Sequence, residues 1–368
     1  MKKRRVATED CKIGDILARD YYNGFGAALI RENAVITGYI KRMLIENGII
    51  QVEVYYKTVE DIDFIIRKNY LNNVTEIKGI LNDLSAGKKL NYDKVLNVSE
   101  AVYFGVDVGY HTIRVLAQVQ GIDNYTYTHS INTAFYSMLI GKWLGLPESE
   151  IKRVIQCGLL HDIGKVKVPS EVLNKRGVLT REEFEVMKKH TILGFAMLDD
   201  IDCFDSRIRK AVLLHHERTD RSGYPLNASP DCVGLYSRIL AVADVYDSMT
   251  SDRVYKERVT PFDAFEMFKT VGLGLFDIKI INVFLNNIAT YYTGVKVLLT
   301  NGEQGEIVYV PPQDILYPIV FTGKEYLDLA MYSGLKIKKI IRDSDNLAIN
   351  RIIENTDNRQ GLRQHALV

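Results

Sequence analysis

The sequence predicts a mainly α protein, one helical body carrying a small strand-containing module at each end. Three features lead to this. Apolar residues recur at helical spacing from Val59 to about Tyr292, the pattern then turns to strict alternation, and turn glycines punctuate alternating stretches before Tyr56. With 368 residues, 47% apolar and 25% charged, the chain can bury one substantial core with small satellites.

Residues 1–57 alternate around Ala27 to Ile30 and Val52 to Tyr56, as expected of a small mixed module. Residues 58–120 read as a helical connector, broken by a polar patch from Ser85 to Asp93, either a signal relay or a passive spacer. The main helical domain is expected over 121–291. There Thr180 with Glu183, and Thr260 with Pro261 and Asp263, mark helix starts, the first helix running through Phe184, Met187 and His190. Over 292–343, Val295 to Leu299, Asn301-Gly302 and Glu306 to Val310 read as a tight hairpin, which Tyr317 to Phe321 and Leu335 to Ile341 extend into a β-rich module. Residues 344–368 are a polar tail expected to fray.

The 47 basic and 46 acidic residues leave a charge of +1, too balanced for a duplex nucleic-acid binder, so an anionic ligand must meet a local cluster. Cys11, Cys157, Cys203 and Cys232 form no Cys-x-x-Cys pair, which argues against a disulfide framework or thiolate zinc site and suits a reducing cytoplasm. No stretch of about 18 apolar residues offers a membrane span. The basic start, Lys2 to Arg5, reads as a solvated terminus, with a membrane-surface contact as the alternative.

Five of the seven histidines fall in the helical segment: His129, His161, His190, His215 and His216. Alone, each would pass for a packed core histidine. Their register says more. Ile151, Val154, Ile155, Gly158 and Leu159 follow a buried-face template that aims Asp162 inward, with His161 beside it and Gly164 expected to end the helix. Ile208, Ala211 and Val212 mark a face that His215 and His216 extend, and near Leu240 the same spacing turns Asp244 and Asp247 inward. His129 shares a helix with Asn132, Thr133 and Tyr136 on an unusually polar face. A buried carboxylate needs compensation, and a metal cation serves when histidines converge on it. Imidazoles and carboxylates without thiolate favour iron or manganese, and seven candidate ligands suit two divalent ions bridged by Asp162, a centre that readies a bridging hydroxide for in-line attack on phosphorus. The plain alternative is a set of unrelated core histidines and helix-cap acids.

The segment His161-Asp162-Ile163-Gly164-Lys165, the run His215-His216-Glu217-Arg218-Thr219-Asp220-Arg221-Ser222-Gly223-Tyr224-Pro225, and Tyr246-Asp247 through Arg253, Tyr255 and Lys256 resemble the HD-GYP family. Asp123 to Ser130, and Lys175 through Thr180 to His190, match its intervening pattern, so the resemblance covers about 121 to 291. It implies an all-helical HD domain with extra helices, metal ligands at His129, His161, Asp162, His190, His215, His216 and Asp244, and hydrolysis of cyclic di-GMP to linear pGpG and onward to GMP. By the same resemblance Lys165 would neutralise the scissile phosphate, Arg253 and Lys256 would hold a non-bridging phosphate, and Tyr224 and Asp247 would contact the nucleotide. For Arg253 and Lys256 the alternative is a solvated surface role. Glu217 would orient a ligand histidine or else cap its loop.

Two positions depart from the family. Tyr125 stands where some members have a glutamate that supports a third metal, which implies two metals here. Arg221 replaces a usual glycine, and at positive φ it would strain the loop by about 1 kcal/mol. The loop Gly223-Tyr224-Pro225 is also the expected contact for a signalling partner, and a homodimer is a further expectation. Against catalysis on cyclic di-GMP stand a non-catalytic sensor of that nucleotide and a phosphohydrolase for another cyclic dinucleotide.

Overall fold

A computed structural model of the protein describes residues 3–341, apart from 13–14, 33, 35, 37, 56–58, 105–115, 117–124, 176, 200, 202 and 252–258 and the side chains of 59–65 and 125. The polar tail expected over 344–368 lies outside the described residues.

The N-terminal module pairs β1 (Lys3–Ala7) with β4 (Gln51–Tyr55) antiparallel and β2 (Tyr21–Tyr22) with β3 (Ala28–Ile30) as a hairpin, with α1 (Gly38–Glu46) between β3 and β4. Leu17, Ile36, Ile40, Leu44, Val52 and Val54 close a small core of its own. Tyr39 on α1 meets Tyr309 and Tyr326 of the C-terminal sheet, with ring centroids at 5.9 and 5.5 Å.

Two helices follow, α2 (Val59–Ser85) and α3 (Tyr92–Phe104), broken where the polar patch falls. Tyr70, Val74, Ile77 and Leu84 of α2, and Val95, Val98 and Val102 of α3, are buried in the same apolar cluster as the domain beyond. Each fully buried aliphatic side chain contributes about 1.5–3 kcal/mol.

The centre of the body is α4 (Tyr125–Trp143), buried without interruption from His129 to Gly141. Around it pack α2, α5 (Glu148–Leu160), α10 (Leu235–Thr250) and α13 (Ile278–Ile288). Helix α9 (Ser206–Leu214) lies against α5 and α10, α8 (His190–Asp199) lies against α9, and the short α6 (Ser170–Leu173), α7 (Arg181–Lys188), α11 (Pro261–Lys269) and α12 (Gly272–Leu275) link them. Both expected capping boxes are present, Thr180 with Glu183 on α7 and Thr260 with Asp263 on α11, the latter with Pro261 in its first turn. The first helix does not reach His190, however. It stops at Lys188, and His190 opens α8.

After the helices comes a five-stranded antiparallel sheet of β5 (Lys296–Leu299), β6 (Gln304–Tyr309), β7 (Ile319–Phe321), β8 (Tyr326–Asp328) and β9 (Ile337–Ile340), in the order β8-β7-β6-β5-β9. Gly302 takes φ 90° in the expected hairpin turn between β5 and β6. The run Leu335 to Ile341 forms β9 and returns to the other edge of β5.

Candidate metal centre

Helix α5 ends at Leu160, with His161 as its C-cap. Asp162 then takes φ −98° and ψ 9°, the sparsely occupied bridge region, before a 3₁₀ turn over Ile163–Lys167. Gly164, expected to end α5, lies inside that turn, because the chain leaves the helix three residues earlier. What its missing side chain permits is packing: a β-carbon there would run into the His190 carbonyl and reach within 2.5 Å of the Gly194 amide. The turn bearing Asp162 and the helix start bearing His190 are thereby in backbone contact.

Four more ligand candidates come from other helix ends and faces. His215 caps the end of α9 and His216 follows it, His129 lies on α4, and Asp244 on α10. His129, His161, His190 and His215 are at most 3% exposed, and Asp162 and Asp244 are 6% and 5% exposed.

These side chains converge on two adjoining groups. In one, His129 Nε2, His161 Nε2 and Asp244 Oδ1 face each other, at 3.2 Å between the two imidazoles and 3.1 Å from His129 to Asp244. The other comprises His190, His215 and His216, with 3.5 Å between Nε2 of His190 and of His215. Asp162 spans the two, its Oδ2 lying 3.3 Å from His161 Nε2 and its Oδ1 3.4 Å from His190 Nε2. Asp244 does likewise, with Oδ2 3.8 Å from His216 Nδ1. Ligands of one octahedral cation, each about 2.1 Å from it, stand about 3 to 4 Å apart, the spacing found here.

The imidazoles are oriented by a repeated device. His161, His190 and His215 each point Nδ1 at the carbonyl three residues earlier, Gly158, Met187 and Val212, at 2.8 Å in every case. With that nitrogen donating, each Nε2 presents a lone pair to the centre. His129 is turned by a different partner, Asp247 Oδ2 at 2.6 Å from its Nδ1. Asp247 in turn accepts from Asn132 Nδ2 and Ser251 Oγ at 2.8 and 2.9 Å, and Tyr70 Oη donates to Asn132 Oδ1 at 2.9 Å. Of the polar face noticed on α4, Asn132 joins this network while Thr133 Oγ1 is buried without a hydrogen-bond partner. The far end of the network, Tyr70, carried no signal in the sequence. The expectation that Asp247 contacts a nucleotide is corrected accordingly: it is 0% exposed, with both oxygens engaged behind His129.

Electrostatics agree with a cation-binding role. Burial, helped by neighbouring imidazoles, holds His215 well below the usual histidine range, pushes His216 down to about 3, and lowers His190, so all three stay neutral donors near pH 7. Burial opposes charge on Asp162, yet His161, Lys165 and His190 outweigh it and keep its carboxyl well below the carboxylate range. Burial would also lower His129, but the flanking Asp244 and Asp247 raise it to about 9, the mark of a position that calls for positive charge. Asp162 Oδ1 is buried with no hydrogen-bond partner, a cost of about 1–3 kcal/mol that a bound cation would remove. The donor set therefore fits divalent metal ions.

At the rim, Lys165 Nζ lies 2.5 Å from Asp162 Oδ2. The Tyr224 ring leans on His216, with centroids 4.6 Å apart at 31°. Glu217 does not reach a histidine. Its two oxygens accept the backbone amides of Leu226 and Ala228 at 2.7 and 2.9 Å, so it clamps the loop, the simpler of its two expected roles. Arg221 has φ 63°, the left-handed conformation in which its replacement of glycine carries a cost. Arg253 and Lys256 lie outside the described residues, as does the Tyr125 side chain.

An all-helical body with histidines and aspartates gathered at helix ends defines a class of metal-binding helical domain. Residues 122–280 match the family model described as HD domain, in agreement with the resemblance read from the motifs. A cyclic di-GMP phosphodiesterase of Pseudomonas aeruginosa is 34% identical over 205 residues, covering 56% of this chain and 49% of the relative. One from Thermotoga maritima is 34% identical over 164 residues, covering 44% and 45%. A 3'3'-cGAMP-specific phosphodiesterase of Vibrio cholerae is 29% identical over 202 residues, covering 53% and 47%. The chain thus spans about half the length of the curated relatives it matches. Among solved structures, an HDGYP protein from Bdellovibrio bacteriovorus aligns with TM-score 0.50 and 13% identity over 77% of this chain and 98% of that one, a likeness of fold.

Proposed function

We propose that this chain is a metal-dependent phosphodiesterase of the HD-GYP type that hydrolyses cyclic di-GMP. The observation that carries the reading is the position of Asp162, whose two oxygens face two histidine groups at 3.3 and 3.4 Å while one of them lacks any hydrogen-bond partner. His129, His161 and Asp244 would hold one ion and His190, His215 and His216 the other, with Asp162 shared. Two divalent ions, iron or manganese by the chemistry of the donors, would supply Lewis acidity and lower the pKa of a bound water when present.

The chain's own side chains do the rest. Lys165, 27% exposed at the mouth of the centre, neutralises charge developing on the phosphate. Tyr224 beside His216 orients the nucleotide, and the i−3 carbonyls and Asp247 keep His161, His190, His215 and His129 in their ligating tautomers. Arg253 and Lys256 remain proposed phosphate holders, and the Gly223 loop a proposed partner contact. No helix among the described residues is long and apolar enough to cross a membrane, and four free cysteines support a reducing cytoplasmic setting.

The test is anaerobic reconstitution with ferrous iron or manganese, followed by chromatography of cyclic di-GMP, pGpG and GMP. Turnover of cyclic di-GMP is expected. Tight binding without turnover would instead indicate a nucleotide sensor, and hydrolysis of other cyclic dinucleotides alone would overturn the substrate.

A further inference from the structure

Helix α7 stands beside the centre with no buried residue, although Phe184, Val186 and Met187 alternate with charges along it. An amphipathic helix ordinarily buries its apolar face. Here Phe184 is 46% exposed. Exposed phenylalanines occur singly on many surfaces, but this one shares its surroundings with two groups near the chemistry. Its ring lies 6.1 Å from that of Tyr224, which itself leans on His216. Lys188 Nζ sits 5.4 Å over the Phe184 ring and 5.8 Å over the Tyr224 ring. The helix is held in place from its other end, where the Thr180 capping box and the 2.5 Å ion pair from Lys175 to Glu183 meet, so this wall is pre-organised.

We infer that Phe184 and Lys188 form a base-recognition wall for a guanine of the substrate, an inference that rests on the phosphodiesterase reading above. A cyclic dinucleotide whose phosphate lies between the two histidine groups must lodge its bases on nearby surface, and an open aromatic ring is where a base stacks. Lys188 adds a preference. The guanine edge offers two acceptors, O6 and N7, whereas adenine replaces O6 with an amino donor, so an ammonium there selects guanine. Its carboxylate partner Glu185, at 2.6 Å, is 59% exposed and therefore a weak, screened competitor.

The experiment compares wild type, Phe184→Ala, Phe184→Tyr and Lys188→Met, loaded with manganese, on cyclic di-GMP, cyclic di-AMP and bis(p-nitrophenyl) phosphate, a phosphodiester without a base, and also measures equilibrium binding of cyclic di-GMP. In Phe184→Ala the ratio of kcat/KM for cyclic di-GMP to that for the base-free diester falls roughly 5- to 100-fold, binding weakens in parallel, and Phe184→Tyr restores both. Lys188→Met narrows the preference for cyclic di-GMP over cyclic di-AMP. If wild type turns over cyclic di-GMP and Phe184→Ala leaves that ratio within twofold, the wall is refuted while the phosphodiesterase reading stands. If wild type binds without turnover, the binding comparison decides the wall by itself. If it neither binds nor cleaves the nucleotide, both readings fall together.

Discussion

Asp247 Oδ2 lies 2.6 Å from His129 Nδ1, two buried groups from helices 118 residues apart in the sequence. The pair sets the tautomer of His129 and leaves Nε2 facing Asp244 and His161. Asp247→Asn keeps the shape and removes the charge, so divalent-ion affinity should fall about 10- to 100-fold with the fold intact. Calorimetric titration with manganese checks this, and unchanged affinity would show that Asp247 does not support the ligand.

Gly164 abuts the first turn of α8. Gly164→Ala would push the Asp162 turn away from His190, costing about 1–3 kcal/mol of stability and reducing the metal bound per chain. Thermal unfolding and metal analysis of the same preparation read both effects. A variant equal to wild type in each would mean the contact can relax at no cost.

Lys165 reaches Asp162 from the rim, yet it contributes no lone pair to the centre. Lys165→Ala should slow turnover on the order of 100-fold or more while metal content stays at the wild-type level. Loss of metal in this variant would assign the lysine to assembly of the centre and not to the reaction.

Asp205 caps α9, accepting from the Arg207 amide at 2.8 Å and pairing with the Arg207 guanidinium at 2.8 Å and Arg153 at 3.1 Å. The Arg207 hydrogen bond, above all, holds its carboxyl at about 2. A carboxyl lowered on folding contributes stability above its unfolded value, near 3.9, and that contribution is lost as pH falls toward 2. Asp205→Asn preserves a good cap, so at pH 7 it should cost at most about 1 kcal/mol, the pair being partly solvated. Urea unfolding across this range should show the gap to wild type closing as pH approaches 2; a constant gap would exclude the charge as its source.

Arg221 holds φ 63° where glycine would rest without strain. Arg221→Gly should therefore gain about 1 kcal/mol or less, the greater freedom of the unfolded glycine chain offsetting part of the relief. Equilibrium unfolding measures the sign, and a destabilised variant would mean that the Arg221 side chain makes a compensating contact.

Periodicity in the sequence determined the helical body and the inward aim of Asp244, and local motifs determined both capping boxes and the β5–β6 hairpin, because burial of an apolar stripe and the chemistry of a cap or turn are local rules. Asp162, His215 and His216 lie past the last residues of α5 and α9, so the turns that follow those helices set their aim. The motif residues determined the match of residues 122–280 to the HD domain model. Tertiary structure alone decided how these stripes meet: that Asp162 faces two histidine groups at once, that Asp247 stands behind His129 and not at the surface, that Glu217 holds a loop, and that Gly164 brings two backbones together. Such relations join residues far apart in the chain, and their distances follow from how helices pack, which no spacing within one helix encodes. The exposed ring of Phe184 on α7 belongs with them, since amphipathic spacing says that an apolar face exists and only packing shows that this part of it stays 46% exposed while Val186 and Met187 are half-buried.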